Sequence, residues 1–171
     1  MPFEETEKAD TPLTFYAATK KATENMAHSY AHLYDLPITM FRFFTVYGPW
    51  GRPDMAYFSF TKAIREGRPI DVYNHGKMLR DFTYVDDVTE AISRLVEHPP
   101  RGNTSDGNSE GEPPHILYNI GKHTPVELER FIKAIESALG LEAKRNYLPM
   151  QSGDVPVTYA DVDRLTELTG F

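Results

Sequence analysis

The segment Tyr16-Ala-Ala-Thr-Lys20 leads, after one predicted helix, into Ile38-Thr-Met-Phe-Arg-Phe-Phe-Thr-Val-Tyr47. Apolar and small residues recur at three- and four-residue steps over 15–34, which predicts a helix. The residues Asp35 and Pro37 end it. The second segment is rich in aromatic and β-branched residues, which predicts one buried strand over 38–47. A helix that feeds directly into a buried strand indicates the α/β class.

The same alternation continues downstream. The predicted helices cover 55–66, 86–96, 124–139 and 161–168, and the predicted strands cover 70–73, 81–85, 116–120 and 143–147. Thr124 with Glu127 three residues later predicts a capping box, and Gly140 ends that helix. The polar stretch 99–114 predicts a long loop. No Gly-rich turn of the kind that cradles dinucleotide phosphates follows any predicted strand.

The composition limits the classes of function. A chain of 171 residues with 40% hydrophobic and 25% charged residues fits one globular domain. The net charge of −7 argues against a nucleic-acid partner. The absence of cysteine excludes disulfides and thiolate metal sites. Because no long apolar run and no leader pattern is present, we expect no membrane span and a cytoplasmic location.

Tyr16 and Lys20 carry the first candidate chemistry. Residues four apart lie on one face of a helix, so these two side chains are predicted to be neighbours. A tyrosine phenol ordinarily has a pKa of about 10, and a nearby ammonium favours the phenolate. Such a pair can take a proton from a hydroxyl and return it. The spacing alone also occurs by chance on surface helices, and that alternative stays open at this point.

Two further motifs follow the tyrosine-lysine pair. They are Arg42-Phe-Phe-Thr-Val-Tyr-Gly-Pro-Trp-Gly-Arg-Pro-Asp54 and Arg80-Asp-Phe-Thr-Tyr-Val-Asp-Asp87. In this order and spacing, the three motifs resemble the extended short-chain dehydrogenase/reductase family of NAD-dependent epimerases and dehydratases. The sequence from Thr45 to Ala56 is similar to that of the UDP-glucuronate 4-epimerase branch of this family. The resemblance extends from Pro2 through Asp161.

The resemblance implies an architecture. We expect an α/β fold made of the later part of a Rossmann-type, NAD(P)-binding domain and a small α/β substrate-binding lobe, without the Gly-rich N-terminal half. Residues 1–171 form a single partial domain in this interpretation. Residues 1–50 belong to the catalytic core and 51–171 mainly to the nucleotide-sugar-binding lobe, with 116–120 a candidate to return to the core sheet. Relatives are about twice as long, so both ends are expected to be cut.

The resemblance also implies site residues. Tyr16 is the expected catalytic base and acid, and Lys20 is expected to hold the nicotinamide ribose of NAD. The implied cofactor-binding residues are Tyr16, Lys20, Phe43, Phe44 and Val46. The implied substrate-binding residues are Thr45, Arg52, Val72, Tyr73, Arg80 and Asp154.

The substrate-binding residues are predicted to have separate tasks. The guanidinium of Arg80 meets the UDP pyrophosphate as a fork-shaped donor, and Val72 and Tyr73 lie along the uracil. Thr45 occupies a position where galactose-type relatives commonly carry Asn, and Arg52 is close to it in sequence. Thr45 and Arg52 are therefore the candidates for binding a sugar carboxylate. Strand-end packing and a surface ion pair are the alternative explanations for these two residues.

The implied reaction is the 4-epimerisation of UDP-glucuronate to UDP-galacturonate through a 4-keto sugar, with NAD as cofactor. Three alternatives remain at this point: a UDP-glucose 4-epimerase, a sugar-nucleotide dehydratase, and a truncated non-catalytic module that binds UDP-sugars or a protein partner. A homodimer through the Tyr16 helix is expected. No metal is expected, because His28 and His32 suit an exposed helix face and Asp86 and Asp87 suit a helix N-terminus.

Overall fold

The computed structural model describes residues 2–102 and 111–171, which form five helices and eight strands. The helices are α1 (Phe15–Tyr34), α2 (Ala56–Arg65), α3 (Val85–Val96), α4 (Leu128–Leu139) and α5 (Asp163–Thr169). The strands are β1 (Ile38–Phe43), β2 (Thr45–Tyr47), β3 (Ile70–Val72), β4 (Leu79–Tyr84), β5 (His115–Ile120), β6 (Pro125–Glu127), β7 (Arg145–Tyr147) and β8 (Val157–Thr158). The predicted α/β class is confirmed, while the predicted loop over 99–114 lies in part outside the described residues.

The strands form three small sheets. β1 and β5 are parallel and pair from Ile38 with His115 to Phe43 with Ile120. β4 is the centre of the second sheet, with β2 and β8 parallel to it and β6 antiparallel. β3 and β7 form a parallel pair. Strand β5, which the sequence offered as a candidate to return to the core, therefore pairs with the first strand of the chain.

The prediction of one strand over 38–47 is wrong, because the chain turns at Phe44. The amide of Phe44 donates to the carbonyl of Ile120 at 3.4 Å, and the amide of Val46 donates back to the carbonyl of Phe44 at 3.0 Å. This turn ends β1 in one sheet and starts β2 in another. The segment therefore joins the first sheet to the second.

The predicted capping box at Thr124 and Glu127 is also wrong. Residues 125–127 form β6, which pairs with Leu79–Asp81 of β4, and helix α4 begins only at Leu128. The backbone pairing between β6 and β4 keeps residues 125–127 extended, although the local sequence favours a helix start at Thr124. The side chain of Glu127 makes no capping hydrogen bond.

Two hydrophobic cores hold the molecule. The first lies between α3, β5 and α5 and contains Val88, Ala91, Leu95, Tyr118, Ile120 and Leu165. The second lies between α2, β3 and α4 and contains Ala63, Ile64, Ile70, Val72 and Ile132. Each core buries one face of its helices, which is the arrangement expected for amphipathic elements.

Two buried polar side chains tie the loops to the sheets. The carboxylate of Asp81 on β4 accepts hydrogen bonds from the amides of Lys122 (2.7 Å), His123 (3.1 Å) and Ala160 (3.0 Å). The side-chain amide of Asn119 on β5 donates to the carbonyls of Phe3 (2.8 Å) and Asp161 (3.1 Å). These bonds fix the N-terminal segment and the segment before α5 at the ends of β4 and β5.

Helix α1 is the least buried long element. It contacts β1 and β5 on one side, and Ala31 is its fully buried residue. Its exposed large hydrophobic side chains are Phe15, Tyr16, Met26, Tyr30, Leu33 and Tyr34. Among the described residues, no helix combines the length and the apolar character that crossing a membrane would require.

Candidate active site

The start of α1 places the predicted catalytic pair. The hydroxyl of Thr14, the N-cap residue, accepts a hydrogen bond from the amide of Ala17 at 3.1 Å and so begins the helix. Tyr16 lies in the first turn with 70% of its surface exposed. The ammonium of Lys20 lies 5.1 Å from the centroid of the Tyr16 ring. The structure thus brings the two side chains together on one accessible helix face.

Tyr16 and Lys20 line a cleft of about 520 Å³ together with Phe43. Its walls come from α1, from β1 and from Ala9 of the N-terminal segment. The cleft therefore unites the predicted proton-transfer pair with one of the predicted cofactor-binding residues. It is open at the surface, so a bound ligand could reach the phenol.

The other two predicted cofactor residues on this segment lie differently. The ring of Phe44 lies 6.4 Å from the ring of Phe3. The side chain of Val46 packs against the first hydrophobic core. Their contribution to cofactor binding remains a prediction, and Phe43 is the residue of this group that lines the cleft.

An ion pair in the wall of this cleft was missed by the sequence reasoning. The Nε and Nη2 atoms of Arg42 donate to the two carboxylate oxygens of Glu24 at 2.7 and 2.9 Å. The hydrogen bond from Arg42 holds the pKa of the Glu24 carboxyl below its usual value and raises the pKa of Arg42. Glu24 follows Lys20 by one turn of α1, and that spacing was the only sequence signal.

Arg80 and Asp154, both predicted to bind substrate, contact each other. The Nη2 atom of Arg80 donates to the Oδ1 atom of Asp154 at 2.7 Å. The Nη1 atom donates to the carbonyl of Leu79 at 2.9 Å and to that of Pro156 at 3.3 Å. Both side chains remain partly exposed. The guanidinium is therefore held in one orientation at the surface of the second sheet.

Thr45 begins β2, and Arg52 lies in the loop between β2 and α2. Thr45 is half-buried and pairs with Phe82 of β4. Arg52 is exposed, and its Nε atom lies 3.4 Å from the Oδ1 atom of Asp54. Within the described residues, the structure records no hydrogen bond between Thr45 and Arg52. A joint contact with a carboxylate therefore remains a prediction.

Val72 and Tyr73 differ in their access to a ligand. Val72 is 0% exposed and belongs to the second core, so its side chain is engaged in packing. Tyr73 is half-buried and begins the 3₁₀ turn Tyr73–Gly76. Of these two residues, Tyr73 keeps a side chain available to a base.

His28 of α1 contacts a histidine at the start of β5. The ring of His28 lies edge-on to that of His115, with 5.4 Å between the centroids. Burial and the neighbouring His28 lower the pKa of His115. In residues 2–102 and 111–171, no cluster of three or more His, Asp or Glu side chains could hold a metal ion.

Comparison with known proteins adds to this geometry. The sequence profile of the NAD dependent epimerase/dehydratase family matches residues 1–121. Protein CapI of Staphylococcus aureus is 58% identical over 96% of this chain and 51% of its own length. The "Probable UDP-glucuronate 4-epimerase" of Rhizobium meliloti is 54% identical over 100% of this chain and 52% of its own length. The chain thus spans about half the length of the curated relatives it matches.

A solved structure shows the same fold. The UDP-Glucuronic acid 4-epimerase from Bacillus cereus, in complex with UDP-Glucuronic acid and NAD, superposes with a TM-score of 0.81 at 28% identity. The match covers 100% of this chain and 52% of that one. The predicted fold, a later part of a Rossmann-type domain with an α/β lobe, is confirmed.

Proposed function

Because the chain belongs to the NAD dependent epimerase/dehydratase family, we propose that it carries the proton-transfer and substrate-binding residues of a UDP-glucuronate 4-epimerase. The observation that carries the proposal is the cleft in which Lys20 lies over the ring of Tyr16 beside Phe43. Relatives with this name match the whole of the chain, and the Bacillus cereus enzyme was crystallised with UDP-Glucuronic acid and NAD.

The cleft suits the nicotinamide end of NAD. An exposed phenol and an ammonium stand at its mouth, and Phe43 offers an apolar wall. When bound, NAD supplies the reversible oxidation at C4 of the sugar. Tyr16, acting as the phenolate, takes the proton of the 4-hydroxyl group and later returns it as the phenol, while Lys20 holds the ribose and keeps a positive charge beside the Tyr16 oxygen. No Gly-rich phosphate turn is present in the 171 residues, so we expect no tight NAD binding by this chain alone.

Arg80 and Asp154 are proposed to bind the nucleotide part of the substrate. The ion pair and the two carbonyl contacts already orient the guanidinium of Arg80. A pyrophosphate can approach its remaining exposed side without a large reorganisation, which favours affinity. Tyr73 is the residue proposed to lie along the uracil.

Thr45 and Arg52 are proposed to distinguish a uronate from a neutral sugar. A carboxylate at C6 needs a hydroxyl donor and a cation, and Thr45 and Arg52 supply these groups from β2 and from the loop that follows it. If they act in this way, Arg52→Gln raises the KM for UDP-glucuronate by about 10-fold, the size of one lost charge-assisted hydrogen bond. The KM for UDP-glucose stays unchanged. An equal effect on both sugars would favour the UDP-glucose 4-epimerase alternative.

A homodimer through α1 is part of the proposal. Met26, Tyr30 and Leu33 leave an apolar face of this helix uncovered, which is costly in water. Light scattering after size-exclusion chromatography should give a dimer, and Leu33→Lys should give a monomer. A wild-type monomer would contradict this interface. The cytoplasm is the proposed compartment, and cell fractionation tests it.

The activity is tested with two proteins. The first is this chain alone. The second, called the fused enzyme below, is this chain joined to the part of the Rhizobium meliloti relative that precedes the matched region. With UDP-glucuronate and NAD, we expect the fused enzyme to form UDP-galacturonate, resolved by chromatography, and the chain alone to form none. No product from either protein, with UDP-sugar binding retained, would leave the non-catalytic binding module as the better account.

A further inference from the structure

We propose that Glu24 and Arg42 are a positioning pair that sets the distance between the Tyr16–Lys20 face of α1 and the strand that carries Phe43. The inference rests on the proposed function of Tyr16. Neither residue touches the reacting atoms in this proposal. The pair acts through the placement of Tyr16 and Lys20.

The geometry of the pair is that of a strong, directional link. Both donors of Arg42 point at separate oxygens of one carboxylate, at 2.7 and 2.9 Å. The side chains are only 24% and 15% exposed, so water screens them less than a surface pair. A two-point contact of this kind fixes an orientation as well as a distance.

The pair joins the two walls of the candidate cleft. Glu24 stands one helical turn after Lys20 and two turns after Tyr16, on the same face of α1. Arg42 directly precedes Phe43 on β1. Glu24, Arg42, Tyr16, Lys20 and Phe43 all line the cleft. A change in the pair therefore moves one wall against the other.

Helix α1 has little else to hold it in register. Ala31 is its fully buried residue, and it lies in the second half of the helix. The first half, which carries Tyr16 and Lys20, is anchored by polar contacts instead. Apolar packing usually fixes the position of a helix. Because little of it is present in the first half of α1, the position of this half depends more strongly on the Glu24–Arg42 ion pair.

The link extends to the third wall of the cleft. The ammonium of Lys21 lies 3.4 Å from the Oε2 atom of Glu24 and 3.8 Å from the Oδ1 atom of Asp10. Asp10 directly follows Ala9, which lines the cleft from the N-terminal segment. Glu24 accepts from Arg42 on β1 and from Lys21 on α1, and Lys21 continues the chain of contacts to Asp10 of the N-terminal segment.

The expected effect falls on turnover rather than on substrate affinity. A misplacement of about 1 Å can cost on the order of 100-fold in rate when reacting groups must be aligned. We expect Glu24→Gln in the fused enzyme to lower kcat by about 10- to 100-fold. The KM for UDP-glucuronate should stay within about 2-fold, because Arg80 and Asp154 lie on and beside another sheet.

A matched control separates this role from general stability. Glu90→Gln removes a Glu–Arg hydrogen bond of 2.8 Å between Glu90 and Arg94 on α3, outside the cleft. This variant should keep kcat. Arg42→Lys keeps the charge but loses the two-point contact, so it should reproduce the kcat loss of Glu24→Gln. The double variant should lose little more than either single variant.

The pH profile of kcat supplies a readout that a merely structural role would not move. We expect the pH profile of kcat to change in shape in Glu24→Gln, in which the pair no longer places Tyr16 and Lys20, and to keep its shape in Glu90→Gln. A uniform loss at all pH values, in proportion to the unfolded fraction, would overturn the proposal. So would an unchanged kcat.

Hydrogen exchange on this chain itself tests the positioning without turnover. Amides of residues 18–24 should exchange about 10-fold faster in Glu24→Gln, since a lost anchor of about 1.4 kcal/mol lowers the cost of local opening by that factor. Glu90→Gln should leave them unchanged. Unchanged exchange in Glu24→Gln would overturn the positioning pair. A fused enzyme that is inactive with wild-type residues would overturn the proposed function, while the exchange result still decides the positioning claim.

Discussion

Helices α1 and α4 differ in how much of their surface is buried. In α4, Ile132 is fully buried in the second core, and the ring of Phe131 stacks on that of Phe82 with 4.6 Å between centroids. In α1, the candidate catalytic face and an apolar face are both exposed, and polar contacts hold the helix to β1. The helix that carries the candidate catalytic pair is therefore the long helix that contributes least to the two cores.

This difference in burial predicts that α4 contributes mainly to stability and α1 mainly to the proposed function. Tyr16 and Lys20, the proposed proton-transfer pair, are both exposed on α1. Helices α2 and α4, by contrast, bury residues against β3 in the second core. Substitutions in α1 should therefore change turnover with little change in stability, and substitutions in α4 should do the reverse.

The largest expected effect is on the activity side. In the fused enzyme, Tyr16→Phe removes the proton-transfer group and should lower kcat by about 10³-fold, within the range for a positioned acid-base group. The unfolding midpoint in urea should not change, because the phenol is exposed. Tyr30→Phe, on the same helix, is the matched control and should keep full turnover. Residual activity of Tyr16→Phe near the wild-type value would remove Tyr16 from the mechanism.

The largest expected effect on stability lies in α4. Ile132→Ala leaves a cavity in a closed core and should lower the free energy of unfolding by about 2–5 kcal/mol. Asn25→Ala on α1, where the side chain is exposed, should cost less than about 0.5 kcal/mol. Urea denaturation of this chain measures both. Equal losses at the two positions would break the contrast between the helices.

The smallest expected effect concerns the contact between α1 and the start of β5. Burial, and then the neighbouring His28, depress the pKa of His115 in the folded protein, with Glu24 acting in the opposite direction. The unfolded chain binds the proton more readily, so the contribution of His115 is present above pH ~6.5 and is lost as the pH falls through the folded pKa. Urea midpoints at pH 7.5 and 5.5 should therefore differ.

The substitution His115→Gln should reduce that difference in midpoints, by less than the whole effect of Ile132→Ala. His32→Gln is the control, since His32 is exposed on α1, and it should leave the pH dependence unchanged. A pH dependence that is the same in His115→Gln and the wild-type chain would show that the His28–His115 contact does not couple to folding.

The parts of the fold that local patterns determine were predictable. Helix α1 begins at Phe15 and ends at Tyr34 as predicted, because Thr14 caps its start and Asp35 takes the left-handed conformation at its end. The turn at Phe44 was not predictable. The aromatic and β-branched residues continue through it, and only pairing with two different sheets divides the strand.

The candidate site was predictable where a motif carried it and not elsewhere. Tyr16 and Lys20 are neighbours because helical spacing requires it, and Arg80 came from a motif. The contact of Arg80 with Asp154 and that of Arg42 with Glu24 join segments far apart in the sequence. Local periodicity contains no information on such pairs, since the tertiary fold alone brings them together.

The most direct test of the central claim uses the fused enzyme in heavy water. If Tyr16 moves only the hydroxyl proton, the hydrogen at C4 of the sugar never exchanges with solvent. We therefore expect UDP-galacturonate with protium at C4, seen by NMR after turnover of UDP-glucuronate with NAD. Deuterium at C4 would show that a carbon-bound proton is removed to solvent, and it would contradict the proposed chemistry of this chain.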